Sequence, residues 1–261
     1  MNSTDLSPAL GAPHTAVIVT GGASGIGLAS ARALAAVGRA VALWDINAEK
    51  AEGEAAAIAQ TFGVKAVGIG IDITDLDAYP VAIAASRDAL GAIGGLVHAA
   101  GIVDTASLEG ITPDSWAAGI NTHLRPLALL TQQLHGDLAA NPGSAIVAIT
   151  SINATLGNAM NPVYSAAKGG MLSLVRSLAD RLARDHIRIN SVSPGQIMTP
   201  MMKPAVDNLP EGFFEKRILL ERIGVPEEIG RVVRFLLSNE ASYITAAELV
   251  VDGGNISSQR G

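Results

Sequence analysis

The chain has 261 residues, of which 49% are apolar, 3% aromatic and 16% charged, and its formal net charge is -6. That acidic balance supplies no field for nucleic acid or anionic lipid and excludes both as partners. The absence of cysteine excludes disulfides, thiolate zinc sites and cysteine nucleophiles together.

Residues 1–14, MNSTDLSPALGAPH, carry no Lys or Arg ahead of an apolar run, so they read as a loose arm and not as a secretory signal. From residue 15 onward, short apolar runs predict seven strands, at 15–20, 40–45, 66–72, 95–100, 145–150, 187–193 and 248–253. Helical periodicity fills the intervals. Trp116, Ile120, Leu124, Leu134 and Leu138 form one predicted apolar stripe, and Val163, Ala167, Met171, Leu174, Leu178 and Leu182 another. Strands that are apolar on both sides and separated by helices predict right-handed crossovers in a parallel sheet. The expected fold is a single doubly wound, Rossmann-like α/β domain over 15–261, with seven parallel strands and helices on both faces. Residues 194–225 lack a strand pattern and are rich in Met, Pro and Phe, which predicts a substrate lid. No apolar run reaches about 18 residues, so no membrane span is expected, and a soluble cytoplasmic protein follows. The five histidines lack ligand spacing, so no metal is expected.

The first strand runs into VTGGASGIG, whose Gly21, Gly25 and Gly27 leave room for a pyrophosphate to meet the N-terminus of the next helix. The second strand ends at Asp45, about 20 residues on, where a carboxylate can bond both ribose hydroxyls of an adenosine and repel a 2′-phosphate. No Lys or Arg occupies residues 46–48, so NAD is favoured over NADP. Asp45 or Asn47 can instead cap a helix; Asn47 fits that role better and leaves Asp45 free.

Tyr164 and Lys168 stand four apart in YSAAK and so share one face of a helix. Using a phenol as a base near neutral pH requires its pKa to fall by about 3 units. One cation about 4 Å away at an effective dielectric near 20 supplies that much, so Lys168, helped by an oxidised nicotinamide, is sufficient provided desolvation stays the smaller effect. Ser151 ends the fifth strand, at the sheet edge where open α/β folds bind ligands. Asn121 precedes Pro126, whose ring disturbs the helix turn and suggests a water site.

Together TGGASGIG, Asp45, Asp72, HAAG (98–101), Asn121, Ser151, YSAAK, SPGQIMT (193–199) and VVDGG (250–254) resemble the short-chain dehydrogenase/reductase family over nearly the whole chain after residue 14. The resemblance implies that Tyr164 is the acid/base, that Ser151 orients the substrate oxygen, and that Lys168 lowers the tyrosine pKa and holds the nicotinamide ribose. It implies that Asn121 positions a relay water. Cofactor contacts are implied at Gly21, Ser24, Gly25, Ile26, Gly27, Asp45, Asp72, Ile73, Ala100 and Gly101, at Tyr164 and Lys168, and at Pro194, Gly195, Ile197 and Thr199. It further implies a homotetramer. His98 and Ala99 depart from the family's paired asparagines, and His98 reads as a satisfied buried histidine.

Hydride transfer between NAD and a secondary alcohol or its ketone is therefore the expected function, with a hydrophobic cyclic or aromatic substrate. Enoyl reductases of the family space their tyrosine and lysine more widely. The alternative is a 3-oxoacyl-thioester reductase, whose acidic carrier would need a basic patch such as Arg176, Arg181, Arg184 and Arg188. A dinucleotide-binding regulator without turnover would be expected to lose members of the catalytic set. A serine hydrolase would need a Gly-x-Ser-x-Gly elbow, which the chain lacks.

Overall fold

β1 (Ala16–Thr20) is buried at every residue. It pairs in parallel with β2 (Val41–Asp45) on one side and β4 (Ile93–His98) on the other. β3 (Ala66–Gly70), β5 (Ala145–Ile149), β6 (Arg188–Pro194) and β7 (Glu248–Val251) complete one sheet in the order β3-β2-β1-β4-β5-β6-β7. The computed structural model describes residues 7–257. Strand order reverses between β1 and β4, which opens a crevice at their carboxyl ends.

Alternate side chains of each strand serve opposite faces. Ile18, Leu96, Ile146 and Ile189 pack against α3 (Tyr79–Leu90), α4 (Pro113–Ala140) and α6 (Pro162–Ala183), which contribute Ile83, Leu130, Leu134, Met171 and Val175. Val17, Val19, Val97 and Val147 pack against α1 (Gly25–Ala35), α2 (Ala48–Phe62) and α8 (Pro226–Leu236), which supply Leu34, Ile58, Ile229 and Val233. This is the Rossmann-like arrangement that apolar runs on both sides of a strand require. Two shorter helices, α5 (Asn153–Leu156) and α7 (Lys203–Asn208), lie after β5 and β6. Among the described residues no helix is long and apolar enough to cross a membrane.

Three local expectations change. β4 runs two residues earlier than predicted, because beyond His98 the Ala99 and Ala100 N–H groups turn to the Thr20 hydroxyl, each at 3.2 Å, with Ala99 keeping only a longer bond of 3.3 Å to the Thr20 carbonyl. Trp116 belongs to α4 but is 48% exposed, since the first turns of that 28-residue helix project past the core. Of the expected loose arm, residues 1–6 lie outside those described. The remainder is docked: Ala9 N–H donates to Glu240 Oε1 at 2.8 Å, and the Ala12 carbonyl accepts from Asn239 N–H at 2.8 Å.

Candidate active site

The turn after β1 gathers most of the predicted dinucleotide contacts. Gly21 has φ 64°, and a Cβ there would lie 2.9 Å from the Ala100 backbone. A Cβ on Gly27 would lie 2.1 Å from the Gly21 carbonyl oxygen, so only glycine lets α1 start this close to the strand. Ser24 is extended and forms no side-chain cap, and the first turn of α1 has no acidic residue. The N–H groups of Gly25, Ile26 and Gly27 are thus left for an anion. Thr199, from the expected lid, reaches the same turn, with Cγ2 3.4 Å from where a Gly25 Cβ would stand. Ile197 is anchored nearby by a bridge to Gly224.

Asn47 caps α2, accepting from Lys50 N–H at 3.0 Å. Asp45 is not free, as the sequence suggested. Its Oδ2 accepts from Ala23 N–H at 3.0 Å and its Oδ1 from Asn47 N–H at 3.1 Å. One carboxylate thereby ties the glycine turn to β2, while its remaining lone pairs can still accept. Asp72 closes a turn onto the Thr74 N–H and hydroxyl, both at 2.8 Å, and Ile73 beside it is buried. Pro194 and Gly195 continue β6, joined to Ile152 and Val251 through backbone bonds of 3.1 and 3.0 Å. These residues fit a nicotinamide dinucleotide: glycine backbone and an uncapped helix for phosphates, and a carboxylate for a ribose.

At the centre of the sheet edge, His98 is a fully satisfied imidazole. The His123 carbonyl can only accept, so Nε2–H of His98 donates to it at 2.8 Å, and Nδ1 accepts from the Thr20 hydroxyl at 2.8 Å. Thr20 in turn accepts from Ala99 and Ala100. Burial, helped by the Lys168 charge, lowers the pKa of His98 to about 4, so it is a neutral strut. Its carbonyl partner belongs to the turn that Pro126 disturbs.

Tyr164 sits in the first turn of α6. Lys168, one turn on, is buried, and its ammonium donates to the Ile149 carbonyl at 2.6 Å. Its Nζ lies over the Tyr164 ring, 5.5 Å from the centroid. The expectation set the lysine charge together with an oxidised nicotinamide against desolvation; among the chain's own groups desolvation is the larger effect on the phenol. Burial raises the Tyr164 phenol above its ordinary value, and the hydrogen bond with Ser151 offsets this only in part. The ammonium is engaged by the Ile149 carbonyl of β5 and by the ring face of Tyr164. Burial also lowers Lys168 itself to about 7. Ser151 is 8% exposed, and its Oγ accepts from Asn153 N–H at 3.1 Å. Tyr164, Ser151 and Lys168 therefore form one group. Asn121 is half-buried in α4, and among the described residues no hydrogen bond joins its side chain to that group.

Two contributors escaped the sequence reading. His123 is buried with its ring edge-on to Tyr164, centroids 5.4 Å apart, and its Nε2 bonds the Ile102 carbonyl at 2.7 Å. Desolvation lowers its pKa to about 2, which keeps it neutral against the tyrosine. Asp104 accepts from Tyr164 N–H at 2.8 Å and Val163 N–H at 3.3 Å, so a loop about 60 residues away in sequence caps α6. Asn161, at the cap position, instead donates its amide to the Asp104 carbonyl. No local pattern signals a cap supplied from that distance.

Beyond Ser151 lies a cavity of about 470 Å³ whose walls include Ile152, Asn153, Gln196, Lys216 and Arg217. Its walls are mostly polar, and Met198, Met201, Leu209 and Phe213 of the expected lid are each more than a third exposed and lie outside them.

Residues 21–255 match a family model described as enoyl-(acyl carrier protein) reductase. The chain is 36% identical over 238 residues to cis-4-hydroxycyclohexanecarboxylate dehydrogenase of Sinomonas cyclohexanicum, covering 91% of this chain and 94% of that protein. It is 34% identical over 245 residues to a 3-oxoacyl-(acyl-carrier-protein) reductase of Vibrio harveyi, covering 91% and 95%. The solved structure of L-sorbose reductase from Gluconobacter frateurii, complexed with NADPH and L-sorbose, superposes with a TM-score of 0.88 at 25% identity, covering 96% of this chain and 99% of that one.

Proposed function

Because the chain belongs to the short-chain dehydrogenase/reductase family, we propose that it transfers a hydride between NAD(H) and a secondary alcohol or its ketone, with Tyr164 as acid/base. The observation that carries this reading is the group of Tyr164, Ser151 and Lys168 at the carboxyl end of β5, on the sheet edge that also holds the glycine turn. A nicotinamide ring bound there supplies the hydride acceptor in oxidation and the donor in reduction.

In reduction the ketone oxygen accepts from the Ser151 and Tyr164 hydroxyls. As hydride reaches the carbonyl carbon, the Tyr164 proton passes to the oxygen and a phenolate remains. The raised phenol pKa keeps that proton in place until charge develops on the oxygen. Oxidation reverses each step: the phenolate takes the hydroxyl proton while the carbinol hydride departs. Lys168, with its ammonium over the ring, stabilises the negative charge of the phenolate, and Ser151 aims its dipole at the oxygen whose charge changes most. Asn121 is proposed to hold a relay water from its place in α4.

NAD is proposed over NADP because Asp45 stands at the end of β2 with no cation in residues 46–48. A cyclic or aromatic substrate is supported by Ile152 and Leu156 in the cavity wall and by the similarity to a dehydrogenase named for a hydroxycyclohexane acid. The thioester alternative is supported by the Vibrio relative. It is opposed at the expected basic patch, where Arg176, Arg181 and Arg184 pair with Glu248, Asp185 and Asp180 and Arg188 is buried. A homotetramer is proposed from the family resemblance and is read by light scattering.

The deciding assay mixes the purified chain with NAD or NADP and a panel of cyclic and aromatic secondary alcohols, following the reduced cofactor. Turnover should favour NAD, and Tyr164→Phe should lower kcat by about a hundredfold or more while NAD still binds. Failure of every alcohol and ketone, or a Tyr164→Phe enzyme as fast as the parent, would sink the reading.

A further inference from the structure

The walls of the cavity beyond Ser151 are unusual for a chain of charge -6. Of nine lining residues none is acidic, two are cations and four are amides. Ile152 and Asn153, which directly follow Ser151, form the wall nearest the reacting group; Lys216 and Arg217 form the wall contributed by the lid. Among the described residues neither cation is engaged in an ion pair. Arg217 is held over the Phe213 ring, 5.3 Å from its centroid, which orients the guanidinium without neutralising it. Asn255 donates its amide to Gln196 Oε1 at 3.0 Å, and this directs the Gln196 NH2 away from Asn255 as a further donor. Two adjacent cations and an amide donor in a cavity without carboxylates make a receptor for an anion.

Resting on the oxidoreductase reading, we propose that Lys216 and Arg217 clamp a carboxylate on the substrate, so that the chain acts on hydroxy or oxo acids whose carboxylate lies remote from the reacting carbon. The guanidinium matches a carboxylate with two parallel N–H donors, and the lysine adds a point charge. The cavity volume of about 470 Å³ suits a small ring bearing one carboxylate. Ile152 and Leu156 supply the apolar contact for such a ring between the anion end and Ser151.

The test uses three matched ketones with NADH: acetophenone, 4-acetylbenzoate and methyl 4-acetylbenzoate, with acetoacetyl-CoA as a phosphate-bearing comparison. The parent enzyme should prefer 4-acetylbenzoate over its methyl ester by about tenfold in kcat/KM, entering through KM. The Lys216→Gln/Arg217→Gln enzyme should bring that ratio close to one. Raising ionic strength to about 0.5 M should erode the preference in the parent enzyme, a readout independent of any variant's folding. Equal rates for acid and ester, a preference that survives the double substitution, or a loss confined to acetoacetyl-CoA would each overturn the clamp. If no ketone is reduced, the oxidoreductase reading fails by itself. Calorimetric binding of 4-acetylbenzoate to parent and double variant then decides the clamp, which is overturned if the two bind alike.

Discussion

Lys168 carries the sharpest conflict at the level of single residues: a cation is held in a place where its own charge is disfavoured. Burial lowers it from 10.5 to about 7, while the Ile149 carbonyl and the Tyr164 ring partly compensate. Below about pH 7 both folded and unfolded chains carry the charge, and the full burial penalty weighs on the folded state. Between that value and 10.5 the unfolded chain binds more protons, so this contribution to stability rises with pH. Lys168→Met has no such group. The stability of the parent relative to this variant should therefore rise by on the order of 2 kcal/mol between about pH 6 and about pH 9. Urea midpoints at the two pH values measure it, and parallel shifts in both proteins would show that Lys168 is not titrating there.

One helix depends on a distant loop for its start. α6 opens Asn161-Pro162-Val163-Tyr164, and its own cap residue makes no side-chain cap. Asp104 fills that role, and its loop is pinned further where Ser107 Oγ donates to the Ala159 carbonyl at 2.8 Å. Losing a cap costs about 1 kcal/mol, and here the frayed turn would contain Tyr164. Asp104→Ala should lower kcat about fivefold with NAD affinity retained, whereas Asp104→Asn, which can still accept, should recover most of the rate. If both variants match the parent, the cap does not position the tyrosine. The strands, the glycine turn and the YSAAK pair were legible because each is written in consecutive residues or a fixed helical spacing. Asp104, His123 and the Asp45 tether to Ala23 were not, because each depends on which way a side chain turns after distant segments meet. The stripe through Trp116 failed for a related reason: periodicity locates a helix face but not where the helix outruns its core.

Across the whole molecule the two edges of the sheet divide the work. At the carboxyl edge lie the glycine turn, the proton-transfer group and the cavity. The amino edge is closed by Arg39, fully buried, which donates to the Thr15 carbonyl at 3.0 Å, the Leu237 carbonyl at 2.8 Å and the Thr15 hydroxyl at 3.2 Å. Arg188 similarly donates to the Leu236 and Ser238 carbonyls at 2.8 and 3.0 Å. Burial lowers both guanidinium groups to about 10, with Arg188 adding to the effect on Arg39, so both stay charged at neutral pH and are answered by carbonyl dipoles. Arg39→Met would relieve a buried charge but orphan the buried Leu237 carbonyl and the part-buried Thr15 carbonyl, and the orphaned groups weigh more. We expect a loss of about 2 kcal/mol in denaturant unfolding, with kcat and KM unchanged at a temperature where the variant is folded. Tyr164→Phe should do the opposite, losing turnover with little change in the unfolding midpoint. If Arg39→Met alters kinetics in the folded enzyme, the edges are coupled through the strands, and the division fails.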